Sequence, residues 1–519
     1  MLATIHTSAI NGLAAMPVLL EINSRMMHSQ EAGSIFMMVG LPDNAVKESK
    51  LRVESALQSS GISLPDRIYY SINFAPADVR KEGSGYDLPL AVAILATLKL
   101  VPAEPLSRTV FVGELGLDGS IRAVKGALSI AIKAREQGFD ALIVPRENAR
   151  EAAVVNRLKV YTADRLSEVI AYLQGTASLE LVEVDTRKEF YEAQTNFPFD
   201  FAEVKGQESV KRAFEVAAAG GHNIMLIGSP GCGKSMMAKR LPSILPHLTL
   251  HESLETTQIH SVAGKLGAET SLIAQRPFRA PHHTISDVAL IGGGVSCKPG
   301  EISLAHNGVL FLDELPEFSR TALETLRQPL EDREITISRA KYTATLPCSF
   351  MLVASMNPCP CGYYNHPTHT CSCSPAQIQR YMNKISGPLL DRFDIQIEVT
   401  PVSVTDLASA PMGESSEVIR QRVLAARAIQ TKRYEAHPGI HCNAQMSRLL
   451  LEKYAALDEA CSETLTRAMK RLQLSARAYD RILRVSRTIA DLAGMPQIQV
   501  EHIKEAINYR NLDRSDWGE

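Results

Sequence analysis

The sequence lacks several features that define special protein classes. No apolar run in its 519 residues approaches the roughly 18 residues that a membrane-spanning helix needs. The mildly apolar start has no basic segment before it, as a signal peptide would. Repeats and low-complexity tracts are also missing. We therefore expect a cytoplasmic protein of packed domains that has no membrane partner.

The chain also has almost no net charge and an odd number of cysteines. The formal net charge is −2, so binding of nucleic acid would need a local basic surface and is neither supported nor excluded by bulk charge. Nine cysteines without a secretion signal favour thiols or metal ligands over a disulfide framework. Hydrophobic residues make up 45% of the chain and charged residues 22%, which excludes a largely disordered protein.

Three segments with different patterns follow one another along the chain. Residues 1–175 mix short β-like runs with helical stretches and predict an α/β domain, and residues 176–200 predict a linker. In residues 201–401 apolar strands alternate with helices, which is typical of a largely parallel sheet. Residues 402–519 predict a helical bundle, because apolar residues recur at helical spacing in the five stretches 417–434, 444–454, 459–472, 476–492 and 500–509.

A glycine-rich run between an apolar strand and a helix predicts a phosphate-binding loop. Its backbone N–H groups can surround phosphates, Lys234 can reach the β and γ phosphates, and the Ser235 hydroxyl can bind Mg²⁺. We therefore expect ATP and Mg²⁺ as cofactors, with an ordinary glycine-rich turn as the alternative. The loop consists of Gly228, Ser229, Pro230, Gly231, Cys232, Gly233, Lys234 and Ser235.

Acidic and amide side chains are predicted to complete the nucleotide site. Asp313 and Glu314 end the apolar run 309–312, where Asp313 would hold magnesium through water and Glu314 would polarise the attacking water. Asn357 follows the apolar run 350–356. A polar side chain at the tip of a parallel strand lies at the carboxyl edge of the sheet, where ligands bind. The alternative role of Asn357 is in an Asn-Pro turn.

Two further segments suggest ligands other than ATP. Residues 328–347 predict a hairpin with Arg339 and Lys341 at its tip, which could grip a phosphate backbone or be a solvated turn. The segment 357–375 contains two Cys-x-Cys pairs. Four thiolates suit tetrahedral zinc, but the spacing is tighter than in a usual knuckle, so zinc and a reduced thiol-rich loop both stay open. These cysteines are Cys359, Cys361, Cys371 and Cys373.

The order of these motifs resembles that of AAA+ ATPases, in the clade of magnesium-chelatase ATPase subunits and MCM helicases. The resemblance implies a hexameric ring of subunits. In this ring Arg392, in the segment 389–394, is an arginine finger that enters the neighbouring subunit's ATP site. It also implies a second sensor arginine at Arg477, with Arg481 as the alternative. The basic hairpin and the segment 278–298, which includes His282 and His283, would lie in the central channel. The alternative role of the two histidines is a metal pair, which no nearby carboxylate pattern in the sequence supports.

The whole chain resembles the YifB/ComM family on the stretches GLPDNAVKESKLRV, FRAPHHTIS and NPCPCG. This resemblance implies a multidomain α/β fold with an N-terminal Lon-protease-like (S5-like) domain, an AAA+ core and a C-terminal helical lid. It implies an ATP-dependent DNA motor for branch migration of recombination intermediates in natural transformation, alongside recombination proteins. The alternatives are a chelatase-like ATPase that remodels a protein partner for metal insertion and a scaffold that binds ATP with negligible hydrolysis.

The N-terminal domain is expected to be non-catalytic. Alignment with the Lon protease segment places Leu128 and Asp87 where the catalytic lysine and serine would be, and a nucleophile needs its activating base close by. If a local rearrangement shifts this alignment, Ser84 or Lys125 becomes the candidate to test. The domain also resembles the Lon-like domain of the recombination ATPase RadA, and this resemblance implies a DNA-binding or ring-organising role.

Overall fold

The computed structural model describes residues 2–27, 33–195, 197–294, 297–339, 342–402 and 412–510. The strands are, in chain order, β1 (Leu2–Asn11), β2 (Ala14–Met26), β3 (Ile35–Val39), β4 (Ile68–Ala75), β5 (Thr109–Phe111), β6 (Glu114–Leu115), β7 (Ile121–Arg122), β8 (Ala141–Pro145), β9 (Lys159–Ala163), β10 (Glu180–Val182), β11 (Ile224–Gly228), β12 (Phe278–Arg279), β13 (Gly292–Gly293), β14 (Lys298–Pro299), β15 (Val309–Leu312), β16 (Glu334–Arg339), β17 (Tyr342–Pro347), β18 (Met351–Met356) and β19 (Ile395–Val399).

Helices connect these strands and form the C-terminal region. They are Asn44–Ser59, Asp87–Thr97, Ala127–Glu136, Arg146–Ala153, Leu166–Leu173, Thr186–Ala193, Glu208–Gly220, Lys234–Ala238, Leu250–Ala263, Asp287–Ile291, Glu301–Leu304, Arg320–Thr325, Arg327–Asp332, Pro375–Met382, Gly387–Leu390, Ser416–Tyr434, Arg448–Tyr454, Glu459–Arg471, Ala476–Leu492 and Val500–Asn508. No helix of the described residues is long and apolar enough to cross a membrane.

The N-terminal sheet is mixed, with the strand order β10-β9-β8-β5-β1-β2-β4-β3. The strand β1 pairs antiparallel with β2 along the whole length of β1, and buried and more exposed residues alternate along β1, as expected for a strand with one core face. The predicted linker 176–200 contains β10, which pairs with β9 at the edge of this sheet, and the helix Thr186–Ala193. The division into domains therefore stays a prediction.

Asp87 and Leu128 lie in the interior of this N-terminal region. Leu128 is fully buried. The buried Asp87 carboxylate accepts hydrogen bonds from Arg52 Nε at 2.6 Å and from the Ser49 hydroxyl and the Leu115 N–H. Burial raises the pKa of Asp87, and these donors counter only part of that effect. The contacts give Asp87 a structural role.

The second sheet is entirely parallel, with the order β12-β15-β18-β11-β19. Every residue of β11, β15 and β18 is buried, as expected for strands covered on both faces. The first of these strands, β11, lies inside the sheet between β18 and β19, and such an arrangement opens a crevice at the carboxyl ends of the strands. The predicted α/β class with a parallel-sheet core is confirmed, and it is consistent with an AAA+ fold.

The C-terminal helices pack onto the parallel sheet. Ile419 and Ile489 belong to the same buried cluster as Phe214 and Val399, so helix and sheet share one core. The predicted helical stretch 444–454 becomes helical only at Arg448. The preceding residues are held in a short 3₁₀ turn because the fully buried Asn443 side chain bonds Tyr434, Thr488 and Asp491.

The predicted basic hairpin forms from β16 and β17, which pair antiparallel. Glu334 pairs with Pro347 at one end of the hairpin, and Arg339 pairs with Tyr342 at the other. Arg339 ends β16, but its side chain lies outside the described residues. Lys341 lies entirely outside them. A second, shorter hairpin of β13 and β14 lies in the segment compared with the AAA+ channel insert.

Candidate nucleotide-binding site

The predicted phosphate-binding loop turns sharply between β11 and the helix Lys234–Ala238. A side chain at Gly228 would run into the backbone oxygen of Val399, so only glycine fits there. Gly231 and Gly233 have φ angles of 78° and 92°, in the left-handed region that favours glycine. No described atom lies within 4 Å of the position that a Gly231 Cβ would take. The loop thus has the open, amide-rich shape that phosphate binding needs.

Lys234 and Asn357 come together at the carboxyl edge of the sheet. Lys234 Nζ donates hydrogen bonds to the Gly228 and Ser229 carbonyl oxygens at 2.7 and 2.9 Å, and it lies 3.3 Å from Asn357 Oδ1. Burial lowers the pKa of Lys234. The Ser229 hydroxyl is buried without a hydrogen-bond partner among the described residues. The loop therefore holds donors that suit an anionic ligand.

Asp313 faces the loop from the end of β15. Ser235 Oγ donates a hydrogen bond to Asp313 Oδ2 at 2.6 Å. The other oxygen, Oδ1, accepts from the Ser355 hydroxyl and, at 3.1 Å, from the Glu314 N–H. Hydroxyl and carboxylate oxygens on adjoining elements are the ligand types that Mg²⁺ prefers. The donor set fits the ATP and Mg²⁺ that the sequence predicts.

Glu314 contacts a histidine that the sequence did not assign to this site. Glu314 has a left-handed backbone, with φ of 53°, and its half-exposed carboxylate lies 3.3 Å from His283 Nδ1. The His283 ring packs against His282 at a centroid distance of 4.1 Å. His283 follows β12, the parallel neighbour of β15. Both side chains therefore belong to the same edge of the sheet.

The structure places Arg392 and Arg477 at the opposite edge of the sheet. Asn223, directly before β11, donates a hydrogen bond to the Arg392 carbonyl at 3.0 Å, so Arg392 lies at the amino ends of the strands. Five residues of β11 span about 16 Å. Arg392 is thus separated from the Lys234 loop of its own chain by the length of the sheet, and Arg477 pairs beside it with Asp391 at 2.9 Å.

Arginine side chains crowd a cavity at this amino edge. The cavity has a volume of about 450 Å³. Burial lowers the pKa of Arg392, and Arg481, Arg327 and Arg477 lower it further. Arg392 pairs with Glu331, and Arg481 pairs with Asp394. Such a basic concave surface suits an anion. Its arginines are Arg333, Arg392, Arg477, Arg481 and Arg484.

The four clustered cysteines converge next to the phosphate loop. Cys359 Sγ lies 3.3 Å from Cys361 Sγ and 3.7 Å from Cys371 Sγ, and Cys361 and Cys371 are 3.5 Å apart. The ligand atoms of all four, including Cys373, lie within 4.8 Å of one another. In the described part of the chain this is the one such group of three or more histidine, cysteine or acidic side chains.

Comparison with known proteins yields three family models and several relatives. The models are "Magnesium chelatase, subunit ChlI" on residues 200–407, "Subunit ChlI of Mg-chelatase" on residues 26–148 and "Magnesium chelatase, subunit ChlI C-terminal" on residues 413–510. YifB of Salmonella typhimurium is 43% identical over 99% of this chain and 98% of the relative. Competence protein ComM of Haemophilus influenzae is 42% identical over 99% of this chain and 98% of that protein. DNA replication licensing factor MCM6 of Arabidopsis thaliana is 24% identical over 55% of this chain and 33% of that protein.

Proposed function

This chain belongs to the YifB/ComM family of magnesium-chelatase-like proteins, and from that premise we propose that it is an ATP-hydrolysing cytoplasmic motor that moves DNA. The observation that carries the proposal is the meeting of Lys234, Ser235, Asp313, Glu314 and Asn357 at one edge of the parallel sheet. ATP hydrolysis would drive branch migration of recombination intermediates.

The chain's own side chains divide the work of hydrolysis. Lys234 and the loop amides would hold the phosphates, while Ser235 and Asp313 would hold magnesium. Bound Mg²⁺ neutralises charge that develops on the phosphate oxygens. Glu314 orients and polarises the attacking water. Asn357, within reach of Lys234, positions the terminal phosphate and that water.

A ring of subunits completes the site in this proposal. Arg392 and Arg477 lie at the amino edge of the sheet, a strand length from the Lys234 loop of their own chain. They are therefore suited to reach the ATP of a neighbouring subunit. Repeating the same head-to-tail contact closes a ring, and we propose a homohexamer. An arginine supplied from a neighbour stabilises the transition state by a factor of ~10³ or more.

DNA as the substrate rests on the relatives and on the hairpin of β16 and β17. One relative is named a competence protein and another a DNA replication licensing factor. We propose that Arg339 and Lys341 at the hairpin tip grip the phosphate backbone in the channel. The N-terminal region is proposed to be a non-catalytic Lon-like domain that organises the ring or binds DNA, with recombination proteins as further partners.

The test is ATP hydrolysis by the purified full chain without DNA, with single-stranded DNA and with a synthetic four-way junction. We expect DNA to stimulate turnover and the junction to be resolved into duplexes. Lys234→Ala and Glu314→Gln are expected to abolish both activities, because one removes a phosphate contact and the other the group that polarises water.

Two outcomes would contradict the proposal in different ways. Turnover that is indifferent to every DNA would overturn the motor and favour the remodelling of a protein partner, as in magnesium chelatase. Unchanged ATP hydrolysis in Lys234→Ala would show that the loop around Lys234 is not the ATP site. Lys188→Ala is a matched control, because Lys188 is an exposed lysine on the helix Thr186–Ala193 and is not among the proposed site residues.

A further inference from the structure

The cysteine segment, residues 357–374, forms no helix or strand. Such an irregular stretch gains little from backbone hydrogen bonding, and ordering it costs conformational entropy. It is nevertheless compact: Cys359 is fully buried, and Tyr363 packs against His366 and His369 at centroid distances of 5.5 and 5.0 Å. Something beyond regular secondary structure must hold these residues in place.

The sulfur positions match a tetrahedral metal site. Zinc binds thiolate sulfur at about 2.3 Å, so four sulfurs at the corners of a tetrahedron are about 3.8 Å apart. The measured separations among Cys359, Cys361 and Cys371 are 3.3, 3.5 and 3.7 Å. A disulfide bond requires about 2.05 Å, and all four cysteines are free thiols. The thiols thus converge as a ligand set does.

The segment is also tied to the nucleotide site at both ends. Asn357 lies two residues before Cys359, and the Gly362 backbone packs so closely on Pro230 of the phosphate loop that a Cβ there would be 2.6 Å from Pro230 Cδ. Cys373 leads directly into the helix Pro375–Met382, which opens with a capping box between Ser374 and Gln377. Tyr381 on that helix hydrogen-bonds the backbone of Asn357.

We propose that Cys359, Cys361, Cys371 and Cys373 bind one zinc ion and that this ion holds Asn357 in place beside Lys234. On binding, the four thiols release their protons to solvent and become the metal ligands. The ion joins both ends of an irregular segment and so supplies the constraint that its backbone lacks. The proposal that the cysteines bind zinc does not depend on ATP hydrolysis, whereas the proposed effect on Asn357 rests on the proposed function.

The first test measures zinc in the full chain by mass spectrometry. We expect about one zinc per chain in wild type and none in Cys359→Ser with Cys371→Ser. The matched control is Cys461→Ser, because Cys461 is a buried thiol outside the cluster that donates to the Ile498 carbonyl, a bond that serine can also make. Iron in place of zinc, or equal zinc in wild type and cluster variant, overturns the proposal.

A second measurement keeps the test valid if the double variant does not fold. Wild-type protein loaded with cobalt should show the absorption of a tetrahedral tetrathiolate, and a mercurial reagent should release one zinc as it modifies four thiols. Cobalt protein without that absorption overturns the site.

The positioning role is tested by combining zinc removal with Asn357→Ala. Loss of one polar group that contacts the reacting phosphate costs about 10²-fold or more in turnover, and we expect zinc removal from wild type to cause a loss of similar size. If zinc acts through Asn357, removing it from Asn357→Ala should cost little more, because interacting sites are not additive. Equal fold-losses in both backgrounds would overturn this role while leaving the metal site and the ATPase intact.

Discussion

Asp313 depends on a residue that carries no recognisable motif. The Ser355 hydroxyl donates a hydrogen bond to Asp313 Oδ1, and Ser355 is itself fully buried on β18. A hydrogen bond to a charged group contributes about 1.5–3 kcal/mol. Ser355 therefore fixes the carboxylate that faces Ser235.

Ser355→Ala is expected to weaken magnesium binding rather than to abolish hydrolysis. Loss of this bond leaves the Glu314 N–H as the remaining described donor to Asp313 Oδ1. Because the carboxylate is then held less firmly, the magnesium concentration that gives half-maximal ATP turnover should rise about tenfold or more. Turnover at saturating magnesium should approach that of wild type. The control is Ser303→Ala, since the buried Ser303 hydroxyl has no partner within the described ranges. An unchanged magnesium requirement would contradict the role of Ser355.

The sequence predicts the site residues that belong to local motifs. It misses those that reach the site only because of the order of the strands in the sheet. The loop 228–235, Asp313 and Asn357 were located because each follows an apolar strand, and the structure brings them together. Ser355 and His283 were not located, because their contacts depend on β12, β15 and β18 being parallel neighbours. Periodicity indicates a strand, but it does not give its partners.

At the scale of elements, a buried polar network joins the C-terminal helices to the amino edge of the sheet. Asp394, just before β19, lies 3.0 Å from His222 Nδ1 and pairs with Arg481. His222 Nε2 lies 2.7 Å from Thr488 Oγ1. Arg481 and Thr488 both lie on the helix Ala476–Leu492. The network therefore attaches this helix beside the arginine-lined cavity.

Asp394→Asn is expected to lower the free energy of unfolding by roughly 3–5 kcal/mol, because breaking a buried ion pair leaves its partner unpaired. Burial alone would raise the pKa of Asp394, but Arg481 and His222 hold it well below its usual value. A lowered folded-state pKa contributes stability that is present above the unfolded pKa of about 4 and is lost as the pH falls below it.

The measurement is urea unfolding followed by circular dichroism between pH 7 and pH 3. The difference between wild type and Asp394→Asn should be largest at pH 7 and should shrink below about pH 4. Asp480→Asn is the control. Asp480 lines the same cavity, and it forms no ion pair with any residue that the structure describes. A difference that does not change with pH would argue against the ion pair as its source.

Helices were easier to predict than the places where they attach. Four of the five C-terminal helical stretches begin within one residue of the prediction, because their apolar spacing is a local signal. The late start at Arg448 and the edge strand β10 inside the predicted linker were not foreseen. Both follow from distant contacts, namely Asn443 with Asp491 and β10 with β9.

At the scale of the whole molecule, the two halves of the proposed active site lie on opposite edges of one sheet. Lys234 is at the carboxyl edge and Arg392 at the amino edge. In the structure of a single chain these two side chains therefore do not meet. In the proposed ring, a head-to-tail contact would place the amino edge of one subunit against the carboxyl edge of the next.

Mixing two inactive variants tests this arrangement. Lys234→Ala lacks a phosphate contact and Arg392→Ala lacks the arginine, so rings of either variant alone should hydrolyse ATP poorly. In mixed rings an Arg392→Ala subunit keeps its Lys234 and can receive the intact Arg392 of a Lys234→Ala neighbour. Random mixing restores about a quarter of the interfaces, so the mixture should exceed both parents in ATP turnover.

The control mixes Lys234→Ala with Glu314→Gln, two changes at the same edge of the sheet. A subunit with either change has a defective site whatever its neighbour, so this mixture should gain nothing. Native mass spectrometry must show mixed rings in both cases, because without subunit exchange the comparison has no meaning. If mixed rings of Lys234→Ala and Arg392→Ala hydrolyse ATP no faster than the average of their parents, Arg392 does not act between subunits. The separation of the two edges would then need a movement within one chain.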